Sequence, residues 1–219
     1  MSGSQPLIVT LRDGAEILVR PIEPEDREDL AAGFERLSPE SRYRRFFGPM
    51  PALSERALDY LTQVDHRDHE ALVALDPETG AGVGVARYVR TAPGEAEPAV
   101  VVADDWQGRG VASRLLDLLA ARAVEQGFET FRAPVLAQNR EAITLLRRLG
   151  ESTTTPMGRE VEVVIRLAPE PEQGRRDLLT VLREVAAGTL APGRSLLQRL
   201  LPRRSAPPDR ARLRNTIVV

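Results

Sequence analysis

The sequence predicts an α/β fold of the α+β kind: a mixed, mostly antiparallel central sheet flanked by helices on both faces. Three observations carry this. Two apolar-rich runs flank Asp13-Gly14 near the N-terminus, a strong short-range signal for a hairpin. Strands come first as an antiparallel meander and then alternate with two helices, an order that buries a mixed sheet from both sides. Finally, "EAEPAVVVAD" is almost continuously apolar, as a strand covered on both faces must be.

Taken in order, "LIVTLRDGAEILVRPI" supplies the hairpin. "EPEDREDLAAGFERL" has an acidic first turn and apolar positions at Leu30, Phe34 and Leu37, the spacing of an amphipathic helix. "SPESRYRRFFGPMP" reads as an interruption by turn residues and prolines, after which Leu53, Ala57, Leu58 and Leu61 mark a second short helix. The strands "HEALVALD" and "GVGVARYVR" follow, joined by "PETGA", and then the apolar strand. The next helix sets Val111, Leu115, Leu118 and Leu119 on one stripe, with Arg114 and Arg122 outside it. "FETFRAPVL" is a strand, "NREAITLLRRLG" a helix closed by Gly150, and "REVEVVIRL" a last alternating strand. These elements make one domain over residues 1–168. From 169 to 219 runs an arginine-rich extension, with short amphipathic stripes at Leu178, Val181, Leu182 and Val185 and at Leu196, Leu197, Leu200 and Leu201, and a basic, proline-containing tail expected to be disordered.

Composition excludes several functions. The 219 residues include no cysteine, so disulfides and thiolate metal sites are out. No apolar run approaches the ~20 residues that span a bilayer, and the first residues lack the pattern of a signal peptide, so a cytoplasmic protein without a membrane partner is expected. The net charge of −2 divides unevenly, −7 over residues 1–167 and +5 beyond. Every basic residue is arginine, so the chain cannot acylate a lysine side chain of its own.

The chemistry is concentrated in "VVADDWQGRGVAS", residues 101–113, where an apolar strand breaks into a turn just before a long helix. Gly108 and Gly110 let backbone amides approach a ligand, and the helix that follows offers unpaired N–H groups and the positive end of its dipole. That is an anion site, to which Arg109 adds a charged donor and Ala112 a slim first turn. A nucleotide P-loop is excluded because it needs lysine, and the glycine spacing does not fit a dinucleotide fingerprint.

The pattern Gln-x-x-Gly-x-Ala in "QGRGVA", after "EPAVVVADDW", resembles the acyl-coenzyme A (CoA) signature of the GNAT N-acetyltransferase superfamily. "LRDGAEILVRPIEPEDREDL", "LSPESRYRRFF", "LTQVDH" and "VGVARYVR" are similar to the Pat-type subfamily of bacterial protein-lysine acetyltransferases, over roughly residues 7–167. The resemblance implies a sheet splayed beside the valine strand, with the pantetheine chain in the gap. Backbone groups of Val100, Val101 and Val102 would pair with that chain. The amides of Gln107, Gly108, Arg109, Gly110, Val111 and Ala112 would hold the pyrophosphate, and Asn139 would contact the pantetheine. Asn139 reads equally well as a helix N-cap. Glu97, ten residues before Gln107, matches the family's general base, and Glu95 shares its face. Val102 N–H is the expected oxyanion donor. Two features depart from the pattern: Pro98 sits in the cofactor strand, and "LLRRLG" stands where many relatives carry a proton-donating tyrosine.

The resemblance therefore implies an acetyl-CoA-dependent N-acetyltransferase with a protein lysine as acceptor. A small-molecule or N-terminal amine acceptor, and a non-catalytic acyl-CoA sensor, are the alternatives. "DHRDHE", with His66 and His69, is read as a polar loop rather than a zinc site, and no metal is expected. "RYRRFF" is read as helix-end packing rather than a nucleic-acid surface, and the leucine stripes of the extension would permit a homo-oligomer.

Overall fold

The N-terminal hairpin forms as its turn residues dictate. Strands β1 (Leu7–Thr10) and β2 (Glu16–Pro21) pair antiparallel, and Asp13 Oδ1 accepts a hydrogen bond from Ala15 N at 3.1 Å to close the turn. The chain is described by a computed structural model over residues 6–46 and 51–167. The proposed boundary near residue 169, and the extension beyond it with both leucine stripes, lie outside the described residues.

After β2 a single 3₁₀ turn leads into α1 (Arg27–Arg36). Asp26 anchors this entry: it accepts from Glu23 N at 2.7 Å and takes both terminal nitrogens of Arg20, at 2.5 and 2.7 Å. The stretch read as an interruption instead forms a second helix, α2 (Pro39–Phe46). Its start signal was present in Ser-Pro-Glu-Ser: Ser38 Oγ accepts from Ser41 N at 3.2 Å, and Pro39 occupies the first helical position, where a missing N–H costs nothing. Helix α3 (Glu55–Thr62) is capped by Ser54, whose hydroxyl accepts from Ala57 N.

Strands β3 (His69–Leu75), β4 (Gly82–Ala92) and β5 (Glu95–Val102) continue the antiparallel sheet. Helix α4 (Val111–Glu125), strand β6 (Thr130–Leu136) and helix α5 (Arg140–Arg147) follow, and the sheet ends with the hairpin of β7 (Gly150–Met157) and β8 (Glu160–Leu167). Strand β7 was not expected. Its "GESTTTPM" has no apolar alternation because it lies at the sheet edge with most of its side chains exposed, so only its β-branched threonines mark it as a strand.

The sheet order is β1-β2-β3-β4-β5-β6-β8-β7, and every pairing is antiparallel except β5 with β6. Helix α4 covers one face, packing Leu115, Leu116 and Leu119 over Ala86 and Tyr88, whose ring lies 5.0 Å from that of Phe128. Those three leucines are fully buried, each contributing about 1.5–3 kcal/mol relative to exposure. Helices α1 and α3 cover the other face, above Val73, Val85 and Ala99. No helix among the described residues is long and apolar enough to cross a membrane.

Candidate functional site

The parallel ladder between β5 and β6 is only two residues long, Glu95 opposite Thr130 and Ala96 opposite Phe131. Beyond it the two strands part while each stays paired on its other side, β5 to β4 and β6 to β8. The cause is in the sequence. Ala103 N donates to Val83 O, so the alternation of an antiparallel ladder turns the backbone of Val101, Ala99 and Glu97 toward β4 and that of Val102, Val100 and Pro98 toward the opening. On the facing wall Leu167 N donates to Glu129 O, which turns Phe131, Ala133 and Val135 toward β8 and Arg132 and Pro134 toward the opening. To extend the ladder, Pro98 would have to donate to Arg132 and Pro134 to Pro98, and neither proline has an N–H to give.

Glu97 is the first residue of β5 past the last rung. Its backbone pairs with Val89, so its side chain lies on the face that also carries Ala99 and Val101. It is half-buried, with Oε1 enclosed. Glu95, on the same face, is committed elsewhere: Arg132 reaches it with two nitrogens at 3.3 Å and Glu162 with a third at 2.8 Å. Two residues past Glu97 on that face, Ala99 and Val101 line a cavity of about 80 Å³ beneath α1 and α3. Its other walls are apolar, including Ile22, Phe34 and Leu61, with Asp29 and Arg87 among the few polar groups.

The turn from β5 to α4 is built on two glycines in the left-handed region, Gly108 at φ 74° and Gly110 at φ 97°. Gly110 is the residue that caps α4, so the free amides of the helix's first turn follow directly from it. Arg109 does not point freely from this turn. Its Nε donates to Asp13 at 2.5 Å and its guanidinium lies 4.2 Å from the Trp106 ring centre, which ties the turn to the β1–β2 hairpin and holds the Asp13 carboxyl below its usual pKa. Val111 and Ala112 are buried. Asn139 begins α5 just past the end of β6, the other wall of the opening. Its Oδ1 caps the helix by accepting from Ala142 N at 3.1 Å, while the buried Nδ2 has no hydrogen-bond partner among the described residues.

A cluster beside the turn joins Gln107 to residues that the sequence did not single out for the site. Asp104 accepts from Ser38 N at 2.7 Å, Ser38 Oγ at 3.0 Å, Ser41 Oγ at 2.6 Å and Gln107 Nε2 at 3.3 Å. Gln107 Nε2 also donates to Val102 O at 3.2 Å. The start of α2 is thereby fastened to the glycine turn. Partial burial works against the Asp104 charge, but the hydrogen bonds from Ser41 and Ser38 outweigh it and hold the pKa below its ordinary value. No local pattern announces contacts between residues more than 60 positions apart; the legible part was the two serines and the aspartate as separate cap and turn residues.

The histidines fall into different environments. His66 Nδ1 pairs with the buried Glu70 at 2.7 Å, whereas His69 stacks on Tyr60 and meets Arg87 at 3.2 Å. No group of three or more ligating side chains that could hold a metal ion occurs among the described residues.

Residues 16–151 match the family described as acetyltransferase (GNAT) domain. The chain is 35% identical over 164 residues to Acetyltransferase PA5475 of Pseudomonas aeruginosa, a match that covers 74% of this chain and 88% of that protein. It is 37% identical over 150 residues to Acetyltransferase Pat of Mycolicibacterium smegmatis, covering 66% of this chain but 44% of that longer protein. The crystal structure of the GNAT domain of S. lividans PAT superposes with a TM-score of 0.69 at 36% identity, covering 74% of this chain and 97% of that domain. Matched across most of its described residues and across most of a relative's length, the chain belongs to the GNAT acetyltransferase family.

Proposed function

We propose that the protein transfers an acetyl group from acetyl-CoA directly to an amine, and that the acceptor is a lysine side chain of another protein. The opening between β5 and β6 carries this reading. Val100 and Val102 turn unpaired strand backbone toward it, as a pantetheine chain requires, and Glu97 stands at its vertex. The pyrophosphate falls to the amides of the Gln107–Ala112 turn, which two left-handed glycines hold open at the head of α4. Asn139 serves both readings considered for it: Oδ1 caps α5, and the unpartnered Nδ2 is left to meet an amide oxygen of the pantetheine.

Glu97 takes a proton from the ammonium form of the acceptor, directly or through water. The neutral amine attacks the thioester carbonyl, and the resulting oxyanion needs a backbone N–H at the opening. Val102 is five residues from Glu97, about 16 Å along an extended strand, too far for base and donor to share one carbonyl. Val100, about 10 Å along, is the nearest gap-facing N–H, since Pro98 has none, and we assign the role to it. The departing thiolate, with a pKa near ~8.5, takes its proton from solvent, so no tyrosine is needed near Arg147.

The lysine acceptor rests on the similarity to Pat-type enzymes. The apolar cavity beside Ala99 supports the other acceptor reading, a small amine with an apolar body. Thiol release from acetyl-CoA, measured with a panel of lysine-bearing proteins, N-terminal peptides and small amines, separates the two. Glu97→Gln should lower turnover about 10²- to 10⁴-fold. Full activity in that variant removes the base assignment, and tight acetyl-CoA binding without turnover on any acceptor points to a sensor.

A further inference from the structure

On the sheet face beneath α1 and α3, the strand register sets Arg87 between His69 and Glu97. His69, Val89 and Glu97 are partners in one row across β3, β4 and β5, and Ala71, Arg87 and Ala99 form the next row. Opposed residues share a face, as do residues two apart on a strand, so Arg87 stands diagonally from His69 on one side and from Glu97 on the other. Its two row neighbours are fully buried alanines, which leave the long side chain room to lie across the sheet.

Arg87 is itself only 3% exposed, and its direction is fixed. Nη1 donates to His69 Nε2 and Nη2 to Leu61 O, each at 3.2 Å. An arginine only donates, so His69 accepts at Nε2, carries its proton on Nδ1 and is neutral. Tyr60 holds the imidazole in turn, the two ring centres lying 4.9 Å apart. Leu61 belongs to the last turn of α3, where the helix dipole favours a cation. The bond to His69 draws the guanidinium toward the row that also holds Glu97, and neither of these two neutral acceptors cancels its charge. The other charged groups around β5 are engaged or face elsewhere. Glu95 is bound by Arg132; on α2, Glu40 pairs with Arg44 and Arg42 donates to two backbone carbonyls. Glu70 pairs with Arg122 on the α4 face of the sheet, and Asp29 of α1 is exposed at the cavity wall.

We propose that Arg87, aimed by His69 and Leu61, is a positioning residue for catalysis: its cation keeps Glu97 in the carboxylate form that a general base requires. The inference rests on the reading of Glu97 as the base. Burial favours the neutral acid, and a cation one strand away, about 4.8 Å across the sheet, works in the opposite sense. Because a guanidinium keeps its proton at any working pH, this support stays constant while Glu97 takes up and releases its own.

The test is ¹³C NMR of the full chain labelled at its glutamate carboxyls, the Glu97 signal being identified by its loss in Glu97→Gln. Arg87→Gln and Arg87→Met should each raise the midpoint at which Glu97 titrates by about one pH unit, a 10-fold change in ionisation. Arg87→Lys, which keeps the charge, should recover most of the wild-type value. His69→Leu, which leaves the cation but frees its direction, should move the midpoint part of the way, and it decides the matter if neither neutral variant folds. A midpoint unmoved in every folded variant overturns the inference, and so does a lysine variant that shifts as far as the glutamine one. On any acceptor that the enzyme turns over, the acid limb of kcat/KM should shift with the midpoint. Full turnover in Glu97→Gln overturns the base reading, and the catalytic role of Arg87 with it, whatever the titrations show.

Discussion

Gly110→Ala separates what the glycine turn does for folding from what it does for a ligand. At φ 97° a Cβ is disfavoured by the backbone, yet there is space for one, the nearest atoms being those of the Arg12 side chain at 3.9 Å. The folding cost is therefore the left-handed conformation alone, about 1–2 kcal/mol. For a domain of this size that lowers the melting temperature by roughly 2–8 °C. Gly158, in the β7–β8 turn, provides the matched control: φ is 71° and nothing lies within 4 Å of an added Cβ. Gly158→Ala should cost the same in stability, because the physics is the same. Only Gly110→Ala should weaken acetyl-CoA binding, by about 10- to 100-fold if relaxation of the turn forfeits one hydrogen bond to charged phosphate worth ~1.5–3 kcal/mol. Thermal melts and calorimetric binding on both variants decide it. Equal binding by the two variants would refute the assignment of the turn as the phosphate cradle, whatever their melting temperatures.

Two further predictions concern ionisable groups. Asp104 has a lowered pKa, so the stability it adds is present above its unfolded value of 3.8 and is lost as the pH falls through the folded value. Asp104→Asn should be less stable than wild type at neutral pH by about 1–2 kcal/mol, discounted for its exposure, and the difference should vanish in acid; a constant difference across the acid limb would show that charge is not involved. His66 has a raised pKa because of its hydrogen bond to Glu70, so its contribution is whole below its unfolded value of 6.5 and is lost as the pH rises through the folded value. Melting curves of wild type and His66→Gln should converge as the pH climbs above about 6.5, and parallel curves would refute the pairing in solution.

Much of this fold was legible because each element carried its own local signal. Asp13-Gly14 announced the hairpin, the leucine stripe announced α4, and "VVV" announced a strand covered on both faces. The two misses have one cause. The described side chains of strand β7 and helix α2 give no apolar alternation or stripe, so hydrophobic periodicity was silent; what remained was β-branching in one and a Ser-Pro cap in the other. Glu97 and the glycine turn could be proposed for the site because they lie on one continuous stretch of 16 residues. The Asp104 cluster could not, since Ser38 reaches Asp104 only once the sheet has assembled.

Pro98 looked like a departure from the pattern of a cofactor strand, and the pairing turns that around. A proline in a central strand is costly when its nitrogen faces a partner that wants a donor. Here it faces the opening, and Pro134 does the same from the other wall, so bringing β5 and β6 together beyond Arg132 would leave carbonyls without donors rather than satisfy them. The opening is thus a property of the folded chain before any ligand arrives. Pro98 withholds a donor just past Glu97, and the donors at Val100 and Val102 are kept for whatever chain enters, because β6 cannot take them first.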